Sequence, residues 1–417
     1  MQGGLSLVQI LCVDNSFMEK IWLEHFGFRF DPFECLEASA DPNLNRYLVE
    51  YESFVAAGGE TPAFIFSPPG GGKTALRIYT GRACWSGGGG YQPFPIHYHL
   101  PRYFKNSNFS TPDDHFQQII RSSAIALFLA FMNYPLIFIK SSPALRKQFV
   151  HFISTWIPNL DYYLKILRDT GQPDDVAMQL DRSYLLHQNP EAALLKIVYE
   201  SFDKHLLEDK NPISLSIQKV FKHVMNWLLH DLGFRSVYIL VDGVDGFPEL
   251  AESPSFATKS LFNLFAFAPA WSKEKIFIKG FLPIEMQKHL KEQLQDQWSA
   301  FNIVELTWND AMLAEMVRRR VYTAVDGEFN TLGKVSAIPA AQDLELELAR
   351  SVHPLPREML KLVNRLLFEY EQRWLRNPKL RKTIETQDID GAVTWYKTEQ
   401  AQIVESLSSS SKDSTQS

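Results

Sequence analysis

Ala63-Phe-Ile-Phe-Ser-Pro-Pro-Gly-Gly-Gly-Lys-Thr-Ala75 is the stretch on which the fold depends. Its first four residues form a short apolar run, which predicts a buried strand that ends at Pro68-Pro69. The three glycines allow backbone N–H groups to converge on an anion, because no Cβ stands in the way. A helix is expected from about Lys73, and the positive end of its dipole would face the same anion. Strand, glycine loop and helix together are typical of a phosphate-binding loop.

The residue types of this loop suit a nucleotide bound with Mg²⁺. Lys73 is placed to reach the β- and γ-phosphates, and the Thr74 hydroxyl is placed to ligate Mg²⁺. The other predicted nucleotide-binding residues are Ser67, Pro68, Pro69, Gly70, Gly71, Gly72 and Ala75. The pattern departs from the usual loop where Ser67 replaces the first glycine. The alternative is a Gly/Pro turn followed by an incidental Lys-Thr pair.

A second apolar run, Ser236–Val241 (SVYILV), is followed by two acidic residues, Asp242 and Asp245. A continuous run of this kind is typical of a central strand in a parallel sheet, and such sheets bind ligands at the carboxyl ends of their strands. Asp242 is therefore predicted to hold Mg²⁺, directly or through water, and Asp245 to orient the attacking water. The alternative is that both aspartates cap a helix after Pro248.

Composition agrees with a globular protein and argues against two other classes. The chain has 417 residues, of which 45% are hydrophobic and 22% charged, with a net charge of −6. This balance does not favour a dedicated nucleic-acid binder. Three cysteines without metal-ligand spacing fit free thiols in a reducing, cytoplasmic compartment. The longest apolar run, Ala124–Ile139, is short for a membrane span and contains Asn133 and Pro135, so no membrane partner is expected.

The predicted fold class is α/β: a three-layer α/β/α parallel sheet of the P-loop NTPase kind, with a long helical insertion and a C-terminal all-α lid. The core is expected to span 25–305, including a mostly helical insertion at 103–234. A leader precedes it at 1–24, the lid follows at 306–400, and a Ser-rich tail at 401–417 is expected to be disordered. The insertion is either a partner-binding or regulatory layer or an addition to the core.

The two motifs, SPPGGGKT and YILVDGVD, resemble the AAA+ and STAND branches of P-loop NTPases, and the second is closest to the STAND form. The chain also resembles origin-recognition and transposition ATPases, in which an FG…PF segment lies near the adenine, as Phe26-Gly-Phe28 and Pro32-Phe33 would here. Pro356-Arg357 resembles the sensor-2 motif, whose arginine faces the γ-phosphate. The resemblance thus implies ATP or ADP with Mg²⁺, Phe33 at the adenine and Arg357 as a catalytic residue beside Lys73, Asp242 and Asp245.

Departures from the family pattern predict slow hydrolysis. Asp245 stands where most AAA+ hydrolases have a glutamate, and a shorter acid positions water less well. Ser272–Val304 contains no arginine that could act on a neighbouring subunit. The sensor-1 position has no clear Asn or Thr, and Lys279 is the nearest polar residue.

Several candidate residues have a structural alternative. Phe33 is either an adenine contact or a core residue, and Arg357 is either a γ-phosphate sensor or a charge on a helix surface. His97 and His99 share one face of a predicted strand, but without a third ligand they are expected to be ordinary core or surface residues.

Three functions remain open at this point. The first is a slow ATP-hydrolysing switch of the signalling or defence type, acting on a protein partner. The second is a DNA-associated AAA+ ATPase, for which the chain offers only a small basic patch at 373–382. The third is a nucleotide-binding scaffold without hydrolysis. Assembly into homo-oligomers is left open.

Overall fold

The computed structural model describes residues 20–49, 53–85, 92–100, 111–206, 216–246, 250, 253–339 and 341–413. The chain divides into two compact units. The sheet unit comprises residues 37–45 and 50–307, and the C-terminal unit comprises residues 1–36, 46–49 and 308–417.

The sheet unit is built on a five-stranded parallel sheet with the strand order β2-β3-β4-β1-β5. The strands are β1 (Ala63–Ser67), β2 (Phe94–His99), β3 (Val237–Asp242), β4 (Ile276–Pro283) and β5 (Asn302–Glu305). β1 and β3 coincide with the two apolar runs that predicted strands, and the α/β class with a parallel sheet is confirmed. Only β4 separates β1 from β3, and the three strands are parallel. The glycine loop and Asp242 therefore both lie at the carboxyl ends of the strands.

Helices cover both faces of this sheet. On one face, Ile65 and Leu240 pack with residues of α3 (Ser53–Gly58) and α4 (Lys73–Ala83). On the other face, Phe64 and Ile239 join a larger apolar cluster with helices that follow β2 and β3. Burial of both faces explains why β1 and β3 are continuous apolar runs without alternation.

The chain between β2 and β3 forms the helical insertion, as predicted for 103–234 over its described residues. Its helices are α5 (Pro112–Asn133), α6 (Pro135–Ile139), α7 (Pro143–Trp156), α8 (Leu160–Thr170), α9 (Pro173–Leu180), α10 (Ala192–Leu206) and α11 (Ile217–Asn226), followed by a π-helical turn at Trp227–Asp231. A 3₁₀ turn at Arg182–Tyr184, called here the insertion turn, lies between α9 and α10. Within the described residues, no helix is long and apolar enough to cross a membrane.

After β3, the helices with described bounds in the sheet unit are α12 (Pro254–Phe265), α13 (Ala268–Lys273) and α14 (Met286–Leu294), and they flank β4. The C-terminal unit contains helices at both ends of the chain. They are α1 (Ile21–Phe26), α15 (Asp310–Ala324), α16 (Leu344–Arg350), α17 (Pro356–Arg376) and α18 (Thr386–Asp413), and the short α2 (Leu44–Tyr47) spans the boundary between the units. The all-α character expected for 306–400 is observed over the described part of that range, apart from one isolated bridge between Ser336 and Ile384.

Residues 25–36 group with the C-terminal unit, whereas the predicted core began at residue 25. His25 Nδ1 lies 2.6 Å from the Tyr370 hydroxyl, although the two residues are 345 positions apart. The backbone N–H of Arg29 donates to the Ala324 carbonyl at 2.9 Å. Sequence patterns reflect local structure, so the pattern around one residue of such a distant pair does not indicate which residue it will contact.

The tail expected to be disordered from residue 401 is helical as far as Asp413, because α18 continues without interruption. Extending a formed helix adds one hydrogen bond for each residue ordered, and residues 401–413 contain neither glycine nor proline. Residues 1–19 of the predicted leader and 414–417 of the tail lie outside the described residues.

Candidate functional site

The glycine loop connects β1 to α4 at the carboxyl edge of the sheet. Gly70 and Gly72 have φ angles of 81° and 95°, in the left-handed region that glycine adopts without steric cost. The backbone N–H of Gly71 donates to the Pro68 carbonyl at 3.1 Å. A Cβ on Gly71 would lie 1.9 Å from Ser67 Oγ. The tight path of the loop therefore requires glycine at all three positions.

Lys73 is buried and folded back onto this loop. Its Nζ donates to the carbonyls of Ser67 at 2.8 Å and Pro68 at 3.0 Å, and lies 2.8 Å from Asp245 Oδ2. Burial raises the pKa of Asp245 above its ordinary value, although the charge of Lys73 opposes this. Lys73 must leave at least part of this arrangement to reach a phosphate.

Asp242 ends β3 and receives two hydrogen bonds on one carboxylate oxygen. Thr74 Oγ1 donates to Asp242 Oδ2 at 2.9 Å, and Arg77 Nε donates to the same atom at 3.0 Å. The two predicted Mg²⁺ ligands are thus in direct contact, although 168 positions separate them in the chain. The alternative that the aspartates cap a helix after Pro248 falls on 247–249, outside the described residues.

The donor set at this point fits Mg²⁺ bound together with a phosphate. Among the described residues, no group of three or more His, Cys, Asp or Glu side chains could hold a metal ion. Mg²⁺ is commonly bound through one or two carboxylates, with substrate phosphates and waters completing its octahedral shell. The Thr74 hydroxyl and the Asp242 carboxylate match that mode and would not form a site for the ion by themselves.

Arg77 is a component of the site that the sequence analysis missed. It is fully buried, and besides Asp242 its Nη1 contacts His97 Nδ1 and donates to Ser183 Oγ at 3.1 Å. One signal was available, because residues three apart share a helix face and Arg77 follows Thr74 at that spacing. Nothing local, however, indicated which acid it would meet.

His97 is a buried core residue, as expected, and it supports Arg77. Burial, together with the nearby Arg77 charge, holds the pKa of His97 well below its ordinary value. The imidazole is therefore neutral, and its Nδ1 accepts from Arg77. A Cβ added to Gly81 of α4 would lie 2.4 Å from the imidazole ring, so the absence of a side chain there lets the ring pack against the helix.

The insertion turn packs against β2 and contributes to the same network. The Tyr184 hydroxyl donates to the Pro95 carbonyl at 3.2 Å and accepts from the His97 N–H at 3.1 Å. Because β2 is an edge strand, these bonds satisfy backbone groups that would otherwise lack a neighbouring strand. Asp181 Oδ1 accepts from the Ser183 N–H at 2.9 Å, which holds the start of the turn. The insertion thereby reaches the surroundings of Asp242 through Ser183.

Lys279 lies away from the glycine loop and has a structural role. The sheet register pairs it with Ala63, the first residue of β1, whereas Ser67 pairs with Pro283. Four residues of strand, about 13 Å, thus separate Lys279 from the level of the loop. Its Nζ donates to the carbonyls of Ala56 at 3.1 Å, Gly59 at 2.5 Å and Thr61 at 2.6 Å. The strand position beside the loop is held by Pro283.

Phe33 and Arg357, implied by the family resemblance, belong to the C-terminal unit. Phe33 is fully buried, and its carbonyl accepts from Asn364 Nδ2 at 2.7 Å, which favours its interpretation as a core residue. Arg357 is the second residue of α17 and is half-buried. Their roles at a nucleotide stay predictions.

Comparisons of the chain with models of known families, with curated proteins and with solved structures gave no match. The interpretation of the site therefore depends on its own geometry and chemistry.

Proposed function

We propose that this chain is a Mg²⁺-dependent ATP-binding NTPase of the AAA+ or STAND kind, which hydrolyses ATP slowly and acts as a switch on a protein partner. The observation that carries the proposal is the 2.9 Å contact between Thr74 Oγ1 and Asp242 Oδ2, beside a loop of three glycines. P-loop NTPases hold Mg²⁺ with a Ser or Thr of the loop and an acid at the end of another strand. An incidental Gly/Pro turn would not require these two groups to meet.

The surroundings of Asp245 support slow turnover. This short acid is paired with Lys73 at 2.8 Å, so the same carboxylate that would orient water also competes with phosphate for the lysine. Pro283, the residue of β4 that pairs with Ser67, offers no polar side chain to the γ-phosphate. Both features lower the stabilisation available to the transition state.

A DNA-associated role has less support. Arg373, in the basic patch at 373–382, donates to Asp388 through Nε at 2.7 Å and through Nη2 at 2.9 Å. A guanidinium already paired with a carboxylate in this way contributes little to phosphate binding.

The direct test is titration of the full chain with ATP in Mg²⁺ and in EDTA, followed by a phosphate-release assay. We expect saturable binding that is tighter with Mg²⁺, and release of phosphate at well below about 10 per second. Absence of saturable ATP binding would overturn the proposed function. Tight binding without any phosphate release would indicate the scaffold instead, and release faster than that limit would contradict a slow switch.

Asp245→Asn is expected to tighten ATP binding about threefold to tenfold and to slow phosphate release at least about tenfold. The substitution frees Lys73 from its ion pair and removes a negative charge near the triphosphate, but it also removes the acid proposed to orient water. Binding and release are measured as above. Asp296→Asn, at an exposed position of the same unit, serves as the control. Weaker ATP binding by Asp245→Asn would contradict the competition for Lys73.

A further inference from the structure

We propose that Arg77 is a positioning residue for Asp242 and that the insertion turn controls this position through Ser183. The inference rests on the proposed function, since it concerns how the chain holds Mg²⁺ with the nucleotide. It also gives the helical insertion a regulatory role at the site.

The two known hydrogen bonds to the Asp242 carboxylate both end on the same oxygen, Oδ2. Each oxygen of an ionised carboxylate offers about two lone-pair positions. On Oδ2, both are used, one by Thr74 Oγ1 and one by Arg77 Nε. Oδ1 is then the oxygen left to accept from a water of the Mg²⁺ shell. Arg77 thus determines which oxygen faces the metal position.

The Arg77 guanidinium is also held on the side that faces away from Asp242. Its Nη1 is fixed between the neutral imidazole of His97 and Ser183 Oγ, and that imidazole packs against Gly81. Nε and Nη1 therefore have partners on different elements: β3, β2 and the insertion turn. A guanidinium held at three points cannot rotate away from the carboxylate.

Stability alone does not account for a buried Arg77. Its Nη2 is buried without a hydrogen-bond partner among the described residues, which costs free energy. Replacing a buried ion pair with apolar residues of similar volume is often neutral or stabilising. A chain that needed only packing at this position would be served better by an apolar side chain.

Ser183 provides the connection to the insertion. It lies 106 positions from Arg77 in the chain and enters the network only because the insertion turn packs on the β2 edge. A partner that displaced this turn would remove one of the three points that hold Arg77. Arg77 would then hold the Asp242 carboxylate less firmly, and the affinity for Mg²⁺ would decrease.

The test compares wild type with Arg77→Met and Arg77→Lys in the full chain. Two quantities are measured by ATP titration. One is the Mg²⁺ concentration that gives half of the maximal increase in ATP affinity, and the other is the ATP affinity in EDTA. We expect Arg77→Met to raise the half-maximal Mg²⁺ concentration about fivefold to twentyfold and to change the affinity in EDTA less than about twofold. Arg77→Lys should restore part of the loss, and Arg121→Met, at an exposed position of α5, should behave as wild type.

A double-substitution cycle identifies the group through which Arg77 acts. In an Asp242→Asn background, Arg77→Met should produce no further change in the Mg²⁺ dependence, because the carboxylate that Arg77 positions is already gone. A merely structural role would instead lower stability and ATP affinity in both backgrounds. Equal effects of Arg77→Met with and without Asp242 would overturn the proposal.

Ser183→Ala tests the role of the insertion and keeps the proposal falsifiable if Arg77→Met fails to fold. It removes one acceptor from Arg77, does not touch Asp242, and leaves the Ser183 N–H bond to Asp181 intact. We expect a rise of about twofold to threefold in the half-maximal Mg²⁺ concentration. If folded Arg77→Lys and Ser183→Ala both match wild type, the proposal is wrong while the proposed function stands. If wild type itself binds no ATP, the proposed function and the role of Arg77 both fail. The wild-type titration therefore distinguishes failure of the proposed function from failure of the Arg77 proposal alone.

Discussion

Lys73→Ala is expected to weaken ATP binding by about a hundredfold or more. In the proposed site, the ammonium is the nearest cation to the β- and γ-phosphates, and charge-assisted bonds to phosphate are among the strongest that a protein makes. Backbone N–H groups of the loop alone would leave most of the triphosphate charge unbalanced. Binding is measured by titration with Mg-ATP, and the mass of the protein in ADP and in ATP shows whether assembly follows the nucleotide.

The fold is expected to tolerate this substitution. Of the three partners of Lys73, Pro68 and Asp245 are partly exposed and can bond water once the side chain is shortened, and only the Ser67 carbonyl belongs to a buried residue. The melting temperature of Lys73→Ala should therefore stay near that of wild type. Lys288→Ala, at an exposed position of α14, is the control for the loss of a lysine charge. Equal ATP affinity of wild type and a folded Lys73→Ala would refute the assignment of the loop.

Lys279→Met is expected to destabilise the chain by about 2–3 kcal/mol. The side chain is fully buried, and its Nζ donates to three carbonyls in α3 and in the segment between α3 and β1. Methionine fills a similar volume, but it leaves the carbonyl of the buried Ala56 without a donor, and the carbonyls of Gly59 and Thr61, which are nearer the surface, must bond water instead. Urea unfolding of wild type and Lys279→Met measures the difference, with the exposed Lys288→Met as the control. A loss below about 1 kcal/mol would show that the carbonyls find other partners.

The same residue predicts a pH dependence of stability. Burial lowers the pKa of Lys279 from its ordinary value of 10.5 to about 7. Between these values the unfolded chain holds the proton and the folded chain does not, so the free energy of unfolding rises with pH in this window. Below pH 7 both states are charged, and this contribution no longer changes. In Lys279→Met, the part of the rise that depends on this residue should disappear.

Local patterns in the sequence were sufficient for the framework of the site. The strand runs, the glycine loop and the acidic strand end all constrain their own backbone, because burial, φ angles and helix starts depend on neighbouring residues. From them the parallel sheet, the helical insertion and the approach of Thr74 to Asp242 could be expected. The sequence by itself thus determined that Thr74, Asp242 and the glycine loop with its Lys73 would lie together.

Only the tertiary structure decided which polar groups meet. The pairing of Arg77 with Asp242, the insertion of Ser183 beside them, and the attachment of residues 25–36 to the C-terminal unit join positions far apart in the chain. A buried charge requires a partner, but the pattern around it does not specify which one. That choice depends on distances that exist only after the elements pack, and it explains why Lys279 reaches three backbone carbonyls rather than the glycine loop.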